Sequence, residues 1–251
     1  MRTHGRPDVV VVAEGLDGPR LEAVRPLVAA FATHGHAVDV VVPRSRAMPR
    51  RPERELVGRG GARHVLVRDL FLEAAGLRPG APPWRARWRR DRGDALADVR
   101  ATRDDVVELP AVLTRRLQAR RPGPVVVPWT LAAGRTVLVR ERTDTEDRPF
   151  QRDYLDHAGT VRVVTWVDRD SDVVTTVLDL DHGEGVARRT RVHRWTARRL
   201  ASEPPVPVVA ATAWGDEVID VLPMARRALA VRHGADLGPL TQALADGGRN
   251  A

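Results

Sequence analysis

The stretch DVVVVAEGLDGPRLEAVRPLVAAFATHGHAVDVVVP, residues 8–43, constrains the fold more than any other part of the chain. It opens on an unbroken apolar run, Val9 to Ala13, of the kind expected of a strand covered on both faces. A glycine-containing turn follows. Leu21, Val24, Leu27, Val28 and Phe31 then recur at helical spacing, and Gly35 marks the end of that helix before a second apolar strand, Ala37 to Val42. This is a βαβ unit, so its strands are expected to be parallel with a right-handed crossover. Pro26 interrupts the helical pattern, because an internal proline removes a donor and crowds the preceding turn. The pattern therefore predicts a kink there, or a helix that begins near Pro26.

Residues 44–61 dissolve into Arg, Pro and Gly and read as a mobile loop, and order returns at ARHVLVRDLFLEAAG. Trp84 and Trp88 are spaced as neighbours on a helix face, in an arginine-rich segment. That segment fits a surface for sugars or polyanions, and it equally fits a partly buried helix with solvated arginines. A short helix and a strand around Val125 to Val127 are expected next. From 151 to 195, apolar and polar residues alternate between DHAG, DRDSD and DHGEG, which predicts an antiparallel meander of about four strands. Beyond it come a helix near Val192 to Ala201, a strand Val206 to Ala211, a helix Glu217 to Ala228 and a strand Leu229 to Arg232. The fold class is α/β: a Rossmann-like, mostly parallel sheet with helices on both faces, interrupted by an antiparallel β-meander. The corresponding division is 1–150, an insertion at 151–195, a return at 196–240 and a flexible tail at 241–251.

Composition narrows the function. All 41 basic residues are arginine, and the net charge is +8. Total replacement of lysine resembles genomic codon bias, and the arginines are interleaved with Asp and Glu, so the charge is not read as a nucleic-acid surface. The absence of cysteine removes disulfides, thiolate metal sites and cysteine nucleophiles. No apolar run reaches the roughly eighteen residues of a membrane span, and MRTHGRPD lacks a cleavage pattern, so a cytoplasmic location is expected.

WGDEVID suggests a competing function, because Gly215, Asp216 and Asp220 form a Gly-Asp-x-x-x-Asp pattern like the Mg²⁺-binding end of haloacid-dehalogenase-type phosphatases. Asp179 and Asp181 of VLDLDHG would supply the companion Asp-x-Asp. They lie in the expected meander, however, and only about 35 residues separate them from Asp216, too few for the intervening βα units. Asp216 and Glu217 also fit the first turn of a helix, where the macrodipole favours acids. Asp179, Asp181 and His182 fit a turn rich in Asp and Gly, so no metal site is expected. His34 and His36 flank a helix end and are read as structural.

As a whole the chain resembles the N-terminal half of GT-B glycosyltransferases of the family 4 type, in particular those that glucosylate wall teichoic acid or Ser-rich adhesins. The opening strand, glycine-rich turn, helix and GHAVDVVV carry the first part of the match. The second is RDYLDHAG with the following hairpins, in which Tyr154, Asp156 and Gly159 match the Tyr-Asp-x-x-Gly hairpin of a β-rich insertion. In the third, RRALAVRHGADL puts His233 and Gly234 where the family has a strand followed by a His-Gly pair, with Asp236 where a second His often lies.

The resemblance implies that the acceptor lies against this domain and that a second domain holds the nucleotide-sugar. Gly15 and Gly18 would let backbone approach a ligand, Arg20 would contact an acceptor phosphate or carboxylate, and His233 would face the cleft. The same residues also fit a tight βα turn with a surface arginine and a surface histidine. After His233 the sequence ends at Ala251, with no room for the donor domain and its Glu-x₇-Glu pair. The expected function is therefore an acceptor-binding glycosyltransferase-like domain that assists hexosyl transfer from a nucleotide-sugar to a polymer or protein hydroxyl. A separate catalytic glycosyltransferase chain or a homo-oligomer is the expected partner, and no cofactor is expected. The alternative is a non-catalytic binding or assembly module of the same fold.

Overall fold

The structure is a computed structural model that describes residues 6–16, 18–43, 51–77, 86–90, 127–133, 136–143, 149–167, 175–179, 188–212, 215–222 and 228–230. In chain order the elements are β1 (Val9–Ala13), α1 (Gly18–Thr33), β2 (Val38–Val42), α2 (Pro52–Gly61), β3 (Val65–Asp69) and α3 (Leu70–Ala74). Seven strands follow: β4 (Ala86–Arg90), β5 (Val127–Ala133), β6 (Thr136–Thr143), β7 (Pro149–Leu155), β8 (Val161–Val167), β9 (Thr175–Asp179) and β10 (Arg188–Arg191). The chain then forms α4 (Val192–Ala201), β11 (Val208–Ala211), α5 (Gly215–Val221) and β12 (Ala228–Ala230). Two compact units result, one of Met1–Glu73, Leu77–Trp84 and Val192–Ala251, the other of Ala74–Gly76 and Arg85–Arg191.

In the first unit five parallel strands lie in the order β12-β11-β1-β2-β3. β1 is central and buried along its whole length, which explains its unbroken apolar run. Val9, Val11 and Ala13 join Leu21, Val24, Leu27, Val28 and Phe31 of α1 in one core that also takes in Leu56 of α2. Each fully buried aliphatic or aromatic side chain there stabilises the fold by about 1.5–3 kcal/mol. Val10 and Val12 alternate to the opposite face. On that face Arg68 of β3, in register with Val41, reaches Asp39, Glu73 and Glu203. Nearby in sequence, Phe71 of α3 packs on Trp195 of α4 with ring centroids 4.8 Å apart. Asp69 caps α3, accepting from the N–H groups of Phe71 and Leu72 at 3.1 and 3.0 Å.

Two expectations for this unit need correction. Helix α1 runs from Gly18, eight residues before Pro26, rather than starting near the proline. Pro26 and Glu22, the residue whose carbonyl loses a donor, are both exposed, so water can satisfy that carbonyl while the buried stripe holds the helix on the sheet. The end of the helix is as expected: Gly35 takes φ +84°, and His36 N–H donates to Phe31 O at 3.1 Å. Residues 52–61, expected to be loop, form α2 with Pro52 and two acids in its first turn and a break at Gly58 (φ +70°). Buried Pro52 and Leu56, with Val57 partly buried against the core, dock it, and so short an apolar set leaves no periodicity to read.

The second unit is a continuous antiparallel meander, β4 through β10, each strand paired with its chain neighbour. Four of its strands, β7 to β10, answer to the meander expected over 151–195, and among the described residues three more precede them from Ala86. Trp88 accordingly lies on a strand and not on a helix face, while Trp84 and the expected helix before Val125 lie outside the described residues. Residues 192–195 belong to α4 of the other unit. The extra strands carry charge where a core is expected: Glu141 of β6 is fully buried and receives Arg152 Nε at 2.6 Å from the register position opposite it on β7. Trp166, Val164 and Leu178 form the apolar core of the other face.

The DHAG hairpin forms as its residues require. Asp156 Oδ1 accepts from the N–H groups of Ala158 and Thr160, both at 2.9 Å, Oδ2 accepts from Arg162 Nε at 2.8 Å, and Gly159 takes φ +82°. Burial raises the Asp156 carboxyl, but the Thr160 N–H, Arg162 and the Ala158 N–H outweigh it and hold the group below its ordinary range. A depressed carboxyl contributes stability above its unfolded value and loses it as pH falls through the folded one. Asp156→Ala is thus expected to cost about 1–2 kcal/mol at neutral pH. Urea midpoints should converge with wild type on acidification; a gap that widens in acid would contradict this account of the turn.

Candidate functional site at the carboxyl ends of the parallel strands

The order β3-β2-β1-β11-β12 reverses its winding between β1 and β11. From β1 the chain passes through α1 to β2 on one side, and from β11 through α5 to β12 on the other. α1 packs on the face of Val9, Val11 and Ala13, while α5 starts against Ala210, in register with Val12 of the opposite face. The loops leaving β1 and β11 therefore diverge, and in open α/β sheets ligands bind where such loops part.

On the β1 side, Glu14, buried Gly15 and buried Leu16 follow the strand directly. Gly18 opens α1 at φ +34°, a conformation that L side chains rarely adopt, with open space where a Cβ would stand. Arg20, exposed in the first turn, places Nη2 3.6 Å from Glu14 Oε1. Gly15, Gly18 and Arg20 are thus brought together on one turn. The arginine already faces a carboxylate that the sequence reading did not include. His233 and Gly234 lie outside the described residues.

On the β11 side the strand is followed by Thr212, whose buried Oγ1 has no hydrogen-bond partner among the described residues, and whose carbonyl accepts from Gly215 N–H at 3.2 Å. Gly215 lies so close to the strand that a Cβ on it would come 2.8 Å from the carbonyl oxygen of Ala210. Sequence reasoning weighed this glycine only as part of a Gly-Asp pattern. Position was the signal that could have found its role, since glycine at the first turn of a βα unit often permits close helix–strand packing.

Of the acidic residues that suggested a phosphatase, Asp179 lies on β9 and Asp216 and Asp220 on α5. Asp216 and Asp220 are exposed on α5, and Glu217 pairs with His193 Nε2 of α4 at 2.8 Å. Asp179 ends a strand of the antiparallel sheet, and Asp181 lies outside the described residues. Among the described residues no three His, Asp or Glu side chains come together as metal ligands. His34 Nδ1 lies 2.8 Å from Ala30 O, and the His36 ring stands edge-on to Phe31. No helix among the described residues is long and apolar enough to cross a membrane.

No protein-family model matches the chain, and no curated protein matches it in sequence. Solved structures do. The chain is similar to a crystal structure of TarM with a TM-score of 0.50 at 6% identity, over 91% of this chain and 50% of that one. A TarM variant of S. aureus, solved with fondaparinux, α-GlcNAc-glycerol and UDP, gives 0.48 at 8% identity over 90% of this chain and 50% of that one. The GtfA/B complex gives 0.42 at 10% identity over 89% and 47%. The chain has a glycosyltransferase-like fold, shared with part of TarM, and spans about half the length of that protein.

Proposed function

We propose that this chain is the acceptor-side part of a GT-B glycosyltransferase of the family 4 type. In this role it positions a polymer or protein hydroxyl for transfer of a hexosyl group from a nucleotide-sugar held by a second unit, in the same polypeptide or in a partner chain. The observation that carries the reading is the switch point between β1 and β11, in a chain that is similar in fold to part of TarM across nine-tenths of its own length. Gly15 and Gly18 shape its β1 wall, Arg20 supplies a donor, and His233 and Gly234 complete the site by resemblance.

Calorimetric titration separates acceptor from donor function. Teichoic-acid or Ser-rich acceptor fragments are expected to bind the purified chain, and UDP- and GDP-sugars are not. Arg20→Ala should weaken acceptor binding about tenfold, the worth of one good charge-assisted contact. Tight nucleotide-sugar binding in the absence of acceptor binding would invert the assignment.

A further inference from the structure

Beside β3, the last strand of the parallel sheet on that side among the described residues, lies a cavity of about 410 Å³ lined by Arg51, Glu53, Arg54, Ala62 and Val65. Its size is that of a small-molecule site. It is separate from the switch point, because β2 stands between β3 and β1. Pro52 and Leu56, both buried, seat α2 on the core, and the Arg51 carbonyl accepts from the N–H groups of Arg54 and Glu55 at 3.0 and 3.2 Å. Arg51 and Arg54 are thereby held on one turn. Both are exposed, and among the described residues neither guanidinium has a hydrogen-bond or ion-pair partner. Glu53 does not pair with them: its half-buried carboxylate accepts from its own N–H and from that of Val67 on the strand. Burial holds that carboxyl above its ordinary range.

Two guanidiniums at one cavity offer many N–H donors and no acceptor. A carboxylate has two oxygens, enough for one guanidinium fork, whereas a phosphate monoester has three terminal oxygens that two forks can share. Ala62 and Val65 add apolar surface for whatever carries the phosphate. We infer that the cavity beside β3 binds a small phosphate monoester, its terminal oxygens held by Arg51 and Arg54 and its organic group set against Ala62 and Val65. This site goes beyond the acceptor-side reading and does not depend on it. Glu53 limits the affinity, since its charge opposes that of the ligand.

The test is NMR titration of the full chain at about pH 7.5, where the ester is mostly a dianion, following the amides of residues 51–67. Phenyl phosphate is expected to bind at least about fivefold more tightly than benzoate, which lacks the third oxygen, or inorganic phosphate, which lacks the apolar group. Arg51→Gln and Arg54→Gln should each weaken it about tenfold. Glu53→Gln, which keeps an acceptor for the Val67 N–H, should tighten it about threefold or more. Arg59→Gln, at an exposed arginine of α2 outside the cavity lining, should change it less than about twofold. Unchanged melting temperatures show that the arginine variants are folded. Benzoate binding as tightly as phenyl phosphate, Arg59→Gln costing as much as Arg51→Gln, or amides 51–67 unmoved by every probe overturns the inference and leaves the acceptor-side reading standing.

Discussion

Replacing Arg68 by methionine is expected to destabilise the parallel-sheet unit by about 3–5 kcal/mol at neutral pH, the loss typical when one partner of a buried ion pair is removed. The guanidinium holds Glu73 through Nε and Nη2 at 2.9 and 2.7 Å and Glu203 through Nη1 and Nη2 at 2.9 and 2.6 Å, with Asp39 Oδ2 3.4 Å from Nη1. Burial works against the arginine's charge, but the bonds to Glu203 and Glu73 outweigh it and raise its proton affinity further. Methionine keeps the apolar stem and leaves three carboxylates facing one another. Glu203, 32% exposed, can turn to water, whereas Glu73 and Asp39, at 7% and 14%, cannot without opening the fold.

The pH dependence identifies the cause. Asp39 is already pushed above its ordinary range, by burial first and then by Glu203 and Glu73, with Arg68 pulling it down. Removing Arg68 takes away that restraint and raises the Asp39 carboxyl further. A group with a raised folded value contributes stability below its unfolded value and loses it as pH rises through the folded one. The Arg68→Met deficit measured by urea unfolding should therefore shrink substantially between about pH 7.5 and pH 5. A loss below about 1 kcal/mol, or one equal at both pH values, would show that the cluster does not hold β2, β3, α3 and the end of α4 together.

This cluster also shows where sequence reading stops. β1, α1, β2, the Gly35 cap and α4 were legible because each buries a regular apolar stripe or ends on a residue with one conformational role. Arg68, Asp39 and Glu203 are separated by 29 and 135 residues from their partners, and no local pattern marks them as joined. The same cause hid the early strands of the meander, because Glu141 and Arg152 occupy buried, cross-strand positions that alternation assigns to solvent. In the candidate site the glycines and Arg20 were readable from their place after the first strand. Glu14 was passed over because a carboxylate ending a strand has no signature until its arginine is seen beside it, and Thr212 because an unbonded hydroxyl is a property of coordinates alone.

The stretch WGDEVID separates the two functions that its sequence suggested, through opposite expectations for adjacent residues. Gly215→Ala should cost about 2–3 kcal/mol, near the top of the range for overpacking. Its methyl would stand 2.8 Å from the Ala210 carbonyl oxygen and 3.5 Å from the Ala210 Cβ, and a strand backbone paired on both sides cannot yield as the end of a flexible side chain can. α5 would have to lift from β11, taking with it the His193–Glu217 contact and one wall of the switch point. Asp216→Asn, by contrast, alters an exposed residue in the first helical turn and should cost no more than about 0.5 kcal/mol of dipole interaction. A Mg²⁺-dependent phosphatase requires the reverse ranking for function, with the carboxylate indispensable and the glycine incidental. Acceptor binding that survives Asp216→Asn and weakens with Gly215→Ala would tie function to the close seating of α5 on β11; Mg²⁺-dependent phosphate release abolished by Asp216→Asn would remove the acceptor-side reading altogether.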